Sequence, residues 1–282
     1  MLSLRLGSPL NTADTADEKT AKGILMTKSD TKALLAFGDV PAAFGLLTRL
    51  PIRVDFDAAT ARGAAAAWVY PLVGLVIGAL AAFTGVIAMT IGLPAAIAAV
   101  FVILVQTVLT GAMHEDGLAD CADGFWGGWT AEHRLKIMKD SHIGAYGVVA
   151  LILGLLLRWL AISTVLDMSG GVAILIAAAM VSRAAMVSLM TMMPNARDNG
   201  LSQSVGRPSR NTAYVSTVLA LIGCLVLVGP LTIPMILATM LTGLFFGLLA
   251  WVKIKGQTGD VLGATQQLTE IFALLSVVAL AS

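Results

Sequence analysis

Charge is scarce in this sequence. Only 12% of its 282 residues are charged, against 57% hydrophobic, and the mean hydropathy is +0.87. Ordinary soluble domains carry about a quarter charged residues, so that class is excluded. Cysteine is almost missing: Cys121 and Cys224 stand far apart with no CxxC spacing, which argues against a disulfide framework and a structural zinc site. An excess of either sign of charge is missing as well. The 18 Lys and Arg nearly cancel the 17 Asp and Glu, leaving a formal net charge of +1, so no global field draws nucleic acid and no such partner is expected.

What the chain has in abundance is apolar length. A helix needs roughly 20 apolar residues to cross about 30 Å of hydrocarbon. Seven segments qualify, near 64–91, 94–113, 143–166, 172–193, 212–229, 231–252 and 260–281. The last is interrupted by Thr265, Gln266, Gln267, Thr269 and Glu270. Residues 33–50 are apolar but broken by Asp39 and Pro41, which suits an interfacial helix. Residues 1–32 are polar and small, with no signal-peptide core, and are expected to form a disordered tail in which Met26 is a second candidate start. The expected fold class is therefore all-α: a polytopic membrane helix bundle of about seven transmembrane helices plus an N-terminal interfacial helix, with 33–282 as the integral membrane domain.

The bilayer is thus the first expected partner, and the basic residues orient the chain in it. Sixteen of the 18 Lys and Arg fall before the first span or in alternate connections after it, and the intervening connections hold none. Lys and Arg are retained on the cytoplasmic side. The reading is a multi-pass protein of the cytoplasmic (inner) membrane whose three longer connections, and hence its function, face the cytoplasm. The two remaining arginines, Arg158 and Arg183, lie inside spans.

Directly after the second span comes MHEDGLADCADGFWGGW, residues 113–129. Asp116, Asp120 and Asp123 are spaced i, i+4, i+7, which at about 100° per residue puts them within about 60° on one helical face. Like charges beside hydrocarbon repel, and a cation relieves them. Oxygen ligands without Cys or paired His suit a hard ion, Mg²⁺ or Mn²⁺. The EF-hand pattern is absent, and His114-Glu115 is not HExxH because position 118 is Leu. The plain alternative is a solvated acidic face capping the span, against which stand Gly117, Gly124, Gly127 and Gly128, since glycines cost helix stability and are useful where a ligand approaches backbone.

A carboxylate-held divalent ion beside a membrane commonly bridges phosphate oxygens, which calls for cations nearby. RLKIMKDSHIGAYG offers Arg134, Lys136, Lys139 and His142, although a solvated surface explains any one of them. NARDNGLSQSVGRPSR could wrap a phosphate with backbone N–H groups and Arg197 or Arg207. Arg183, near mid-membrane, either pairs with Glu270 or lines a polar cavity below the acidic site, and Arg158 has the same two readings.

HEDGLADCADGFWGG followed by RLKIMKDSHIGAYG resembles the cobalamin synthase family, the adenosylcobinamide-GDP ribazoletransferases. The similarity extends to FGLLTRLPI, YPLVGLVIGAL, NARDNGL and KGQTGDVLGATQQLTE, and so covers about residue 33 to the end. The resemblance implies a membrane enzyme that joins adenosylcobinamide-GDP to α-ribazole or its 5′-phosphate, releases GMP and requires Mg²⁺. Glu115, Asp116, Asp120 and Asp123 match the family's acidic pattern, Lys139 its M-K-D block, and Thr258, Gly259 and Asp260 its TGD block. Cys121 stands where the family often has a small hydroxyl residue.

The expected site therefore has Asp116, Asp120 and Asp123 on Mg²⁺, with Glu115, His114 or an aspartate taking the proton of the ribazole hydroxyl. His114, Lys139, Arg183, Arg197 and Asp260 are the candidates for substrate contact. Two other readings are weighed. A transporter would use Arg158, Arg183 and Glu270 as a path, but the loops are one-sided and no inverted repeat is evident. A CDP-alcohol phosphotransferase requires D-G-x-x-A-R, whereas here Asp116-Gly117-Leu118-Ala119 leads to Asp120. A homo-oligomer is left open.

Overall fold

The computed structural model describes residues 33–281, and the expected tail over 1–32 lies outside them. Among the described residues twelve α-helices follow one another: α1 (Asp39–Leu47), α2 (Phe56–Arg62), α3 (Tyr70–Thr90), α4 (Ala95–Thr110), α5 (Met113–Gly127), α6 (Ala131–Ile137), α7 (Ala145–Leu166), α8 (Gly171–Met192), α9 (Leu201–Val205), α10 (Arg210–Val228), α11 (Thr232–Ile254) and α12 (Gly259–Ala281). Short 3₁₀ segments, Gly63–Val69 and Gly229–Leu231, precede α3 and α11. Among the described residues no strand forms, and one isolated parallel bridge joins Asn195 to Gln257. The polytopic helical bundle expected from hydropathy is what the chain builds.

The expected spans map unevenly onto these helices. Among the described residues five helical stretches are long and apolar enough to cross a membrane, Phe56–Thr90, Ala145–Leu166, Gly171–Met192, Arg210–Ile254 (which holds both α10 and α11) and Gly259–Ala281, or six if the bent pair α4 and α5 makes one crossing. At 210–254 the chain forms two separate helices, α10 and α11, because Gly229 (φ 55°, ψ −124°) breaks the helix between them, so the expected segments near 212–229 and 231–252 each have a helix of their own. The expected segment near 94–113 departs. Helix α4 has 16 residues, about 24 Å, too short to cross alone.

Its continuation is deflected because two successive residues, Gly111 (φ 66°) and Ala112 (φ 57°), adopt the left-handed conformation. A helix cannot pass through left-handed residues, so α5 leaves α4 at 88°. The glycine is required twice over, since a Cβ at Gly111 would fall 2.5 Å from Arg49 Nε.

Burial sorts the helices into a core and a jacket. In their most apolar windows α8 and α12 are 72% buried, whereas α7 and the 210–254 stretch are 22% buried. Helix α3 docks on α8 through small residues: a Cβ at Gly74 would lie 2.2 Å from the Ala179 carbonyl oxygen. Such close backbone approach is how helices associate where lipid removes the hydrophobic driving force. The jacket exposes Phe83, Val108, Leu153, Val226 and Phe245, a surface that hydrocarbon covers.

The expected interfacial helix is shorter than 33–50. Asp39, expected as a polar interruption, opens α1 and is fully buried. Its carboxylate accepts from Arg62 Nε (2.6 Å) and Nη2 (2.7 Å) and from Trp68 Nε1 (2.8 Å), which pins α1 to the entry of α3. Burial alone would raise the pKa of Asp39; the hydrogen bonds from Arg62, Trp68 and the Ala36 N–H outweigh it and hold the carboxyl below its usual range.

Candidate active site

Polar residues at the centre of an apolar bundle must satisfy one another, and here five helices contribute. Arg158 on α7 donates to Glu115 on α5 (2.8 Å), to Gln106 on α4 (2.8 Å) and to Gln267 on α12 (3.0 Å). Gln106 donates to Glu270 (3.1 Å), which also lies 3.7 Å from Arg183 on α8. Gln267 and Thr107 complete the acceptor load of Glu115 Oε1, at 3.2 and 3.3 Å. Two arginines and two glutamates thus form one buried, formally neutral cluster. Arg183 pairs with Glu270, as one of its two readings held, and Arg158 joins the same group through a 3.6 Å contact with Glu270.

The cluster fixes α5 and also fixes which of its acids face where. Glu115 is 8% exposed and points into the bundle, because successive residues of a helix are turned about 100° apart. His114 is 1% exposed, with its backbone against Gly263 of α12 and its Nε2 unpartnered. Neither opens toward the aspartates. Asp116 is exposed and Asp120 half-buried, and no hydrogen bond or ion pair engages either carboxylate.

Beside them the start of α12 adds a carboxylate. A Cβ at Gly117 would lie 2.6 Å from the Asp260 carbonyl oxygen, so α5 and α12 touch backbone to backbone at this point. Asp260 Oδ2 accepts from Arg197 Nη2 (3.1 Å) and from the Thr258 hydroxyl (3.1 Å). Arg197 Nη1 is buried without a partner. Asp120 senses the charges of Asp116, Asp260 and Asp123, and Arg197 opposes them.

Arg197 is held in place by the connection that carries it. The Ala196 N–H donates to the Gln257 carbonyl and the Gln257 N–H to the Pro194 carbonyl, both at 2.9 Å. The Gln257 side chain bridges Asn195 and the Ser202 hydroxyl, at 2.7 Å to Ser202. Sequence reasoning singled out none of Asn195, Ser202 or Gln257; the only signal was their place in blocks rich in polar residues between apolar runs. Thr258 entered only through the resemblance.

The remaining candidates are spread. Lys139 is exposed in the connection after α6. Arg134 donates to the Lys253 carbonyl (2.9 Å) and fastens α6 to the end of α11. His142 is exposed, and its hydrogen bond with Asp140 raises its pKa.

Asp123 departs from the expected trio. It is 8% exposed, and both its oxygens are taken by backbone N–H groups at the start of α7. Among the described residues no group of three or more His, Cys, Asp or Glu side chains is assembled to hold a metal ion. The donor set at Asp116 and Asp120 nevertheless suits Mg²⁺, which demands oxygen ligands and typically takes one or two carboxylates plus water and substrate phosphates in place of an all-protein cage. Clefts of about 560 and 620 Å³ lie elsewhere, at the far end of α7 around the turns near Gly92 and Asp167.

Known proteins are similar to this chain over most of its length. The family described as cobalamin-5-phosphate synthase matches residues 39–278. The adenosylcobinamide-GDP ribazoletransferase of Mesorhizobium japonicum is 40% identical over 238 residues, covering 84% of this chain and 91% of the relative. Those of Bradyrhizobium diazoefficiens and Sinorhizobium medicae are also 40% identical, over 84% and 86% of this chain and 92% and 96% of their own lengths. No solved structure matches the chain. With its acidic motif, TGD block and polar core all inside the matched region, the chain belongs to the cobalamin-5-phosphate synthase family.

Proposed function

We propose that the chain joins adenosylcobinamide-GDP to α-ribazole or its 5′-phosphate, releasing GMP, by Mg²⁺-dependent phosphoryl transfer. The observation that carries this reading is the pair of unengaged carboxylates, Asp116 and Asp120, beside Asp260, whose partner Arg197 is half-buried and keeps one buried nitrogen without a partner. Asp116 and Asp120 hold the ion. Bound there, Mg²⁺ supplies charge neutralisation for the diphosphate and for departing GMP.

Arg197 binds a phosphate oxygen through its unpartnered nitrogen, while Asp260 and Thr258 keep the guanidinium oriented. In the transfer the ribazole hydroxyl oxygen forms a bond to the phosphorus that carries cobinamide, and the bond from that phosphorus to the GMP oxygen breaks. Asp116 or Asp120 accepts the hydroxyl proton, since Glu115 is committed to Arg158 and His114 is sealed between α5 and α12. Lys139 lies within the same group of connections and is assigned a secondary contact with phosphate.

The bias of Lys and Arg supports placing this site at the cytoplasmic face of the inner membrane. The closed pairing of Arg158, Arg183, Glu115 and Glu270 counts against a transport path. Detergent-solubilised protein incubated with adenosylcobinamide-GDP and α-ribazole is expected to release GMP and form the complete corrinoid with Mg²⁺ present and not after chelation. Equal product in both conditions would remove the metal from the account.

A further inference from the structure

Helix α7 begins without a cap of its own. Its N-cap residue is Gly144, in extended conformation and with no side chain to accept a hydrogen bond. Yet the first N–H groups of a helix need acceptors, above all near hydrocarbon. Asp123 supplies them from α5. Its Oδ2 accepts from the Gly144 N–H at 2.7 Å and its Oδ1 from the Gly147 N–H at 2.9 Å.

The fit depends on glycine at both donors, since a Cβ at Gly144 would stand 2.4 Å from Asp123 Oδ1 and one at Gly147 would stand 2.3 Å from Oδ2. Exposure falls along the acidic face from Asp116 through Asp120 to Asp123 because α7 closes over its last member. The space where an ion and its waters would approach Asp123 is occupied by the backbone of α7.

We propose that Asp123 is a positioning residue which clamps the amino terminus of α7 to α5, and that it is not a ligand of the metal ion. The clamp sets where the connection bearing Lys139 enters α7, and it holds α5 so that Asp116 and Asp120 lie beside Asp260 and its partner Arg197. It also occupies the anion-binding end of α7 with a carboxylate of the chain itself, leaving substrate phosphate to Arg197. The clamp stands on geometry alone, and only the exclusion from the ion rests on the Mg²⁺ reading above. Asp123→Asn removes one acceptor and sets an amide NH₂ against a backbone N–H.

Two measurements on the full chain in detergent decide the matter. The first is amide exchange over residues 144–148. Asp123→Asn should exchange there roughly tenfold faster or more than wild type, and Asp120→Asn should not. The second is binding of Mn²⁺ alone, read by electron paramagnetic resonance. Asp120→Asn should weaken it about tenfold or more, while Asp123→Asn stays close to wild type.

In turnover, Asp123→Asn should lower the maximal rate and leave the Mg²⁺ concentration for half-maximal rate unchanged. Gly147→Ala, which keeps every carboxylate, should reproduce the fast exchange and serves if Asp123→Asn does not fold. Unchanged exchange in both variants overturns the clamp. Mn²⁺ binding weakened in Asp123→Asn as much as in Asp120→Asn overturns the exclusion from the ion. If Mn²⁺ fails to bind wild type, the metal reading falls, while fast exchange in Asp123→Asn still supports the clamp.

Discussion

At the residue scale, the buried charges do two different jobs. Arg158 and Glu115 tie α7 to α5 in the bundle interior, and removing one member strands the other in a medium that cannot solvate it. Arg158→Met is expected to lose roughly 3–5 kcal/mol of stability, seen as a lower thermal unfolding midpoint in detergent, with Glu115→Gln in the same chain recovering part of it. Asp39 behaves differently because it lies outside the spans. Its folded pKa is depressed, so its contribution is present above the unfolded value of about 3.9 and is lost as pH falls through the folded value. Asp39→Asn should therefore cost about 3 kcal/mol near neutral pH, with the gap to wild type closing in melts below about pH 4. The sequence shows which types of residue are buried in spans, so the pairing of Arg183 with Glu270 is legible as one of two readings. That Glu115 completes the group through Arg158 is not, because Glu115 sits in the acidic motif after α4 and only the 88° turn into α5 and the packing of α7 bring it there.

At the element scale, the acidic helix is legible as a helix and as one face of aspartates, yet its direction is not. The 88° turn into α5 arises from Gly111 and Ala112, and nothing in hydropathy marks a left-handed alanine. The same limit explains the trio. Spacing places Asp123 on the face of Asp116 and Asp120, but Gly144 and Gly147, the residues that claim it, lie beyond an intervening helix. Gly111→Ala tests the turn. It imposes a strained backbone, costing roughly 1–2 kcal/mol, and a clash with Arg49; a lower unfolding midpoint and reduced Mn²⁺ binding are expected.

At the scale of the whole molecule, the helical membrane bundle follows from composition, because long apolar runs with few charges have one stable form in lipid. The division at Gly229 is legible from the sequence, whereas the number of crossings does not follow so directly, since a run of apolar residues does not reveal a bend such as the one after α4. Orientation is testable on the chain itself. Cys121 and Cys224 are buried, so a single cysteine replacing Lys136 should react with a membrane-impermeant maleimide in inside-out vesicles and stay unlabelled in intact cells. A cysteine replacing Asp167 should show the reverse, and the opposite pattern would turn the protein over.

The central claim is that the two free carboxylates of α5 grip the ion that grips the diphosphate. Its most direct measurement is GMP release by Asp120→Asn in purified membranes at saturating Mg²⁺. The account predicts a loss of roughly 100-fold or more with insertion and amount of protein unchanged; release at the wild-type rate would contradict it.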